Sequence, residues 1–228
     1  MELSNRLKAV VGEVRYPTVA DIGTDHAYAL IDLFLKDKID KGIACDIKKG
    51  PLEKAKENIV SFGLSDKIQV RLGNGLSVLN SNEVDTAIIA GMGGMLMIDI
   101  LKQSIEVVKS LKELILQPQL DVNSVRKYLH TIDFQIANEI MILEDGKFYT
   151  VIRAIQGKEV YEKESEYLFG KILLDRKDKI LKDYLSVLLE KQKKIIYQLK
   201  LSATKNAKDR LEKLEQEKNK LEEIYQCL

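Results

Sequence analysis

Five short apolar runs, each followed by a stretch with helical spacing, constrain this chain more than any other feature. In order they are "TVADIG", "GIACDI", "KIQVRLG", "VDTAIIAG" and "ELILQPQ". They lack a strict apolar–polar alternation, as strands covered on both faces do. Strand–helix alternation of this kind predicts an open, mostly parallel sheet with helices on both sides. One helix is expected from about Asp25 to Lys36, and another from Pro51 to Gly63, with proline inside its start and glycine at its end. Further helices are expected through "GGMLMIDILKQSIEVVK" and "VNSVRKYLHTI". An amphipathic helix on Leu3, Leu7, Val10, Val11 and Val14 opens the chain, and Pro17 ends it. After the fifth run, "FQIANEIMIL" and "FYTVIRAIQ" face each other across Glu144-Asp145-Gly146-Lys147, a hairpin signal that adds an antiparallel edge.

The composition changes near Gln156. No proline follows, and no glycine follows Gly170. Leu185, Leu188, Gln192, Ile195 and Leu199 step by three and four, as do Leu211, Leu214, Lys218, Leu221 and Tyr225. Two such helices joined by the polar "SATKNAK" predict an antiparallel coiled-coil hairpin. Lys218 falls on the second seam and is expected to fray that helix or end its packing early. The expected domains are therefore 1–157, the α/β part, and 158–228, the helical part. Residues 1–155 hold 19 Lys/Arg against 21 Asp/Glu, and residues 156–228 hold 17 against 14, so a polyanion is drawn to the second part. Cys45 and Cys227 form no spacing motif, which points to free thiols in a reducing cytoplasm. "MELSNRLKAV" lacks a signal-peptide core, and the longest apolar run, Thr86 to Ile98, is broken by three glycines and too short to span a bilayer.

In an open parallel sheet, ligands bind beyond the carboxyl ends of the strands. Those ends carry Asp21, Gly23, Thr24, Asp25 and His26, then Asp46, then Gly73-Asn74-Gly75, then Ala90-Gly91-Met92-Gly93-Gly94, then Gln117-Pro118-Gln119. The first turn is not a dinucleotide fingerprint, because it has one glycine, Gly23, where three are needed. Asp25 at the helix start repels a diphosphate and suits a cationic or zwitterionic ligand; a helix N-cap is the other reading. Asp46 is placed to accept both hydroxyls of a ribose, or else is a solvated loop acid or a cap. Gly91-Met92-Gly93-Gly94 is not a P-loop, since no Lys-Ser/Thr follows it. It is either a tight turn with close helix packing or a pocket floor for a flat base. With two histidines in the chain, no metal site is expected.

"VADIGTDHAY", "DIKKGPLEKAKEN", "VRLGNGL", "IAGMGG", "LILQPQ" and "GKFYTVI", in this order, resemble the bacterial tRNA adenine-N1 methyltransferases of the TrmK type, which modify adenine 22. The resemblance runs along nearly all of residues 1–155, and the helical hairpin looks like that family's C-terminal coiled coil. It implies a class I, Rossmann-like α/β fold and S-adenosylmethionine as methyl donor. Carried over by motif, Gly23, Asp25 and His26 would line the methionine end, Asp46 the ribose and Asn74 the adenine, with Thr24, Ile47, Gly73, Gly75, Ala90 and Gly91 as further cofactor contacts. This chain has Asn74 where the family usually shows an acid, and Gln119 where it usually shows Asn; the Asn74 carbonyl can still accept from the adenine amino group.

The tRNA substrate sets the chemistry. Adenine N1 is an uncharged, weak nucleophile, so alignment in a dry pocket is the main task. The target base is expected to swing out, with Tyr28 or Met92 packing on its face and Gln117 bonding its edge. Asp25 would favour the developing positive charge. Two other readings stand beside this one. A methyltransferase for another base or a small molecule is one, although the Asp/Asn-Pro-Pro-Tyr of N6-adenine enzymes is missing. A non-enzymatic partner-binding module on a Rossmann scaffold is the other.

Overall fold

A computed structural model describes residues 2–201 and 205–228, and the side chains of all of these except 205–209. The chain forms two compact units, Met1–Gly170 and Lys171–Leu228. The first runs α1 (Asn5–Gly12), β1 (Thr18–Ile22), α2 (Tyr28–Leu35), β2 (Lys41–Asp46), α3 (Lys49–Ser61), β3 (Ile68–Leu72), a 3-10 turn (Gly75–Val78), β4 (Thr86–Met92), α4 (Gly94–Gln103), α5 (Ile105–Ser110), β5 (Glu113–Pro118), α6 (Val122–Thr131), β6 (Phe134–Glu144), β7 (Lys147–Gln156) and α7 (Glu164–Phe169).

Seven strands form one sheet in the order β3-β2-β1-β4-β5-β7-β6. β1 pairs parallel with β2 and with β4, so the direction of chain progression reverses between β1 and β4. β7 pairs antiparallel with both β5 and β6. Asp145 and Gly146 both take left-handed φ (50° and 73°), as the two central residues of a type I′ hairpin do. The central strands are dry: Val19, Ala20, Ile88, Ile89, Leu114, Ile115 and Leu116 are fully buried. This matches the runs without alternation, because helices cover both faces.

Three boundaries differ from the sequence reading. α1 ends at Gly12, well before Pro17, because Glu13 turns inward to accept from Asn138 (2.9 Å) and face Arg153 (3.5 Å). The helix after β4 is two helices: Ser104 leaves helical geometry (φ −130°, ψ 40°), and its carbonyl starts α5 by accepting from Val108. α2 begins at Tyr28, since His26 and Ala27 both have positive φ (66° and 56°) and cannot continue a right-handed helix.

The sheet unit extends past the composition shift to Gly170. Tyr161 is buried, and its N–H donates to the Tyr167 hydroxyl (3.1 Å). Arg126, buried against Glu139 (2.7 Å), donates to the carbonyls of Tyr167 and Leu168 (2.8 and 3.2 Å).

The second unit holds α8 (Lys171–Asp175), α9 (Lys179–Lys200) and α10 (Lys205–Cys227). Asp178 caps α9 by accepting from the N–H groups of Ile180 and Leu181 (3.0 Å each). α9 and α10 run antiparallel: Lys200 meets Glu215 (2.8 Å) at one end, and Lys182 lies 5.3 Å from the Tyr225 ring at the other. The buried seam of α9 is Leu181, Leu185, Leu189 and Ile196, so Leu188 and Ile195 flank it instead of forming it. Lys218 does not end α10; it sits half-buried, its ammonium 3.3 Å from Glu222. Residues 202–204 of the expected link, and the side chains of Lys205 and Lys208, lie outside the described residues. Among the described residues, no helix is long and apolar enough to cross a membrane.

Candidate active site

Strand register brings the expected residues to one edge. Ile22 is opposite Cys45 on one side and Ile89 on the other, so the turns after β1, β2 and β4 meet at the carboxyl end of the sheet. The first turn is stapled to β2: the N–H groups of Gly23 and Thr24 both donate to the Cys45 carbonyl (2.8 and 2.9 Å). Gly23 has φ +74°, a conformation that favours glycine, and the end of the Met92 side chain lies over it. α3 steadies the turn from behind, Asn58 donating to the His26 carbonyl (3.0 Å).

Asp25 is not the helix cap. α2 is preceded by Ala27, with no side-chain cap, and the exposed Asp25 carboxylate lies 3.2 Å from His26 Nε2. The His26 ring stacks on Tyr28 at 5.1 Å and 9°. The capping role proposed for Asp25 therefore falls, and an exposed acid held beside a stacked aromatic pair remains.

Asp21 belongs to the same edge, although nothing in its local pattern assigned it a role. It is buried and accepts from the Thr24 hydroxyl (2.6 Å). Burial pushes its carboxyl up to about 6; the Thr24 hydrogen bond opposes this, and the neighbouring Asp46 carboxylate adds to it. Three carboxylates, Asp21, Asp25 and Asp46, thus gather around the turns after β1 and β2. A buried acid with a raised pKa in such a place is held at a cost that a cationic ligand relieves. The donor set fits S-adenosylmethionine, with its sulfonium, ammonium and ribose, and does not fit a diphosphate.

Asp46 Oδ1 accepts from the Lys48 N–H (2.7 Å), and the Asp46 carbonyl accepts from Gly73 (3.0 Å). The second motif is thus tied to the third. Ile47 is exposed beside it. Asn74 is exposed, and its amide nitrogen donates to Gln103 Oε1 (3.2 Å), so its carbonyl oxygen is the acceptor it can offer a ligand. Gly75 has φ +56° and lies against Ile100.

On the other side of Gly23, a bulge separates Ala90 from Met92 in the β4–β5 pairing. Gly91 is the extra residue, with φ +78°. Gln117 is fully buried: its Oε1 accepts from Arg6 (2.9 Å) and from the Gly91 N–H (3.2 Å), and its amide nitrogen donates to the Pro118 carbonyl (3.2 Å). Gln117 therefore faces Arg6 and the bulge, not an open pocket. Arg6, its guanidinium also 5.6 Å from the Tyr149 ring, was missed by the sequence reading. Its partner Gln117 lies 111 residues further along the chain, so no local pattern announces it. A groove of about 670 Å3 lies elsewhere, between α3 and β3, lined by Leu52, Lys56, Val60 and Val70 among others; none of the expected site residues line it.

Comparison with known proteins bears on this arrangement. The family model described as tRNA (adenine(22)-N(1))-methyltransferase, TrmK, matches residues 19–223. A tRNA (adenine(22)-N(1))-methyltransferase of Bacillus subtilis is 37% identical over 158 residues, a match that takes in 69% of this chain and 66% of that protein. The crystal structure of the B. subtilis m1A22 tRNA methyltransferase TrmK superposes with a TM-score of 0.86 at 31% identity, over 98% of this chain and 99% of that one. M. capricolum TrmK, in complex with S-adenosylhomocysteine, superposes with a TM-score of 0.85 at 27% identity, over 100% and 99%.

Proposed function

Because the chain belongs to the TrmK family of tRNA (adenine(22)-N(1))-methyltransferases, we infer that it methylates N1 of adenine 22 in tRNA, with S-adenosylmethionine as donor. The observation that carries this reading is the edge of three carboxylates and glycine-bearing turns around Gly23, built for a cation that bears a ribose and no phosphate.

When bound, S-adenosylmethionine supplies a methyl group activated by its sulfonium. The chain's own residues hold and orient it. Asp46 accepts the ribose hydroxyls and the Asn74 carbonyl accepts from the adenine amino group, with the exposed Ile47 next to Asp46. Gly23, Thr24, Asp25 and His26 surround the methionine end, with Asp21 beneath. The turns of Gly73, Gly75, Ala90 and Gly91 let backbone approach closely.

Adenine N1 takes the methyl group on its lone pair and becomes cationic, with no proton to remove. No general base is required. Asp25, exposed and unspent on a helix cap, lowers the energy of the developing charge. Met92, lying over Gly23, and Tyr28, stacked on His26, offer apolar faces for the target base. Gln117 acts by holding Arg6 and the Gly91 bulge.

We also place part of the tRNA grip on the helical unit and the enzyme in the cytoplasm. Lys191 and Lys194 are exposed on α9, and Arg210 on α10; Lys193 is paired with Glu190 (3.1 Å) and contributes less. Such cations bind phosphates without reading sequence. The test is transfer of a labelled methyl group from S-adenosylmethionine to unmodified tRNA. Incorporation into tRNA, and none when adenine 22 is replaced by guanine, is expected. Incorporation that ignores the replacement overturns the base assignment.

A further inference from the structure

Arg6 is held at the rim of the site with its charge unspent. Ser4 accepts from the Leu7 N–H (3.2 Å) and caps α1. Glu144, at the β6–β7 turn, accepts from the backbone N–H groups of Asn5 (2.5 Å) and Arg6 (3.4 Å). The helix start is thereby pinned to the hairpin tip. From there the guanidinium reaches Gln117 Oε1 and stops 3.4 Å from where a Cβ on Gly91 would sit. Gln117 has both polar atoms engaged, so its orientation is fixed.

A buried neutral amide steers a guanidinium without neutralising it. Of the six other arginines, Arg210 is exposed on α10 and the remaining five face carboxylates. Arg15 faces Glu13, Arg71 faces Glu83, Arg126 faces Glu139, Arg153 faces Glu13 and Glu113, and Arg176 faces Asp178. Among the described residues, Arg6 has no carboxylate within ion-pair distance; Glu144 is turned to the backbone. A half-buried cation with one of its five donors on Gln117 keeps the rest for a ligand. The edge is therefore divided in charge, with acids after β1 and β2 and a cation after β4 and β5.

We propose that Arg6 is a positioning residue that grips a phosphate of the RNA backbone beside the target adenine. This rests on the tRNA-methyltransferase reading. The planar fork matches two phosphate oxygens, and the Tyr149 ring lies within cation–π distance of the guanidinium (5.6 Å). One such anchor sets where along the chain the target base falls, relative to a methyl donor held after β1 and β2. The donor's own carboxylate is the competing anion. Cofactor affinity, measured beside tRNA affinity, separates the two.

The test uses the full-length protein with Arg6→Gln and Arg6→Lys beside the wild type. Calorimetry gives S-adenosylmethionine affinity, salt titration gives tRNA affinity, and steady-state kinetics give kcat and KM. For Arg6→Gln, cofactor affinity and melting temperature stay unchanged. Its tRNA affinity falls about tenfold or more, and log affinity against log salt is shallower by about 0.7–0.9, one phosphate's worth. Arg6→Lys recovers the salt slope but not full kcat/KM, because an ammonium holds a phosphate without the fork. A loss of cofactor affinity matching the loss of tRNA affinity overturns the proposal in favour of the donor's carboxylate. Unchanged tRNA affinity and slope, or equal losses in both variants with a lowered melting temperature, overturn it in favour of a brace for Gln117. Wild-type protein that fails to methylate the same tRNA brings down the methyltransferase reading and this proposal with it; an active wild type with an unaffected Arg6→Gln brings down this proposal alone.

Discussion

Asp21 is the most exacting place to test the electrostatics of the site, because the fold keeps a carboxylate there at measurable cost. Its carboxyl rises from 3.8 to about 6 on folding, chiefly through burial. A folded-state pKa above the unfolded one means that the folded protein binds the proton more tightly. The stability it brings is complete below pH 3.8 and is lost as pH rises through 6. At 1.36 kcal/mol per pH unit, about 1 kcal/mol is lost by pH 4.5 and about 3 kcal/mol by pH 7.5. Asp21→Asn has no charge to bury and keeps an oxygen for the Thr24 hydroxyl. Its amide nitrogen adds a constant offset of its own, which drops out when two pH values are compared. The assay is urea unfolding of the ligand-free protein at pH 4.5 and pH 7.5. The stability of wild type relative to Asp21→Asn should fall by about 2 kcal/mol across that interval. S-adenosylmethionine should then raise the wild-type melting temperature more than that of the variant at pH 7.5. A difference that stays flat with pH refutes the claim that Asp21 is a strained charge, and with it the argument that the site is built for a cation.

Asp46→Ala should lower S-adenosylmethionine affinity roughly 10- to 150-fold, the worth of lost charge-assisted hydrogen bonds, by calorimetry on protein with an unchanged circular dichroism spectrum. Asp25→Asn should cut turnover while leaving the melting temperature where it was, since α2 is not capped by Asp25; a lowered melting temperature with full turnover per folded molecule would reverse that assignment. Replacing Lys191, Lys194 and Arg210 together by Ala should flatten the salt dependence of tRNA binding by up to about three units without touching cofactor affinity. An unchanged slope would put the whole RNA grip on the sheet unit.

The sequence carried the fold well because its signals are local. The apolar runs gave all five parallel strands, and Glu144-Asp145-Gly146-Lys147 gave the hairpin, its two left-handed residues where a tight turn needs them. Of the boundaries that slipped, the end of α1 is set by distant partners. Glu13 leaves its helix for Asn138 and Arg153, and Ser104 breaks a pattern that reads as one helix. The α9 seam moved because a step of three or four admits two neighbouring rows of leucines, and the fold buries one of them. In the site, the turn residues Gly23, Asp46 and Gly91 were legible as strand ends. The state of Asp21 was not, because burial is a property of the folded chain. Arg6 and the inward orientation of Gln117 depend on each other across the fold, and neither is marked by its neighbours in sequence.

The inferred reaction puts a single methyl group on a single nitrogen, and reverse transcription reads it directly. N1-methyladenine blocks the Watson–Crick edge and stops the enzyme. Unmodified tRNA incubated with the protein and S-adenosylmethionine should give a stop at adenine 22, absent without the cofactor and absent with Asp46→Ala at limiting cofactor. Methyl incorporation with no stop at position 22, or a stop at another adenine, would contradict the account.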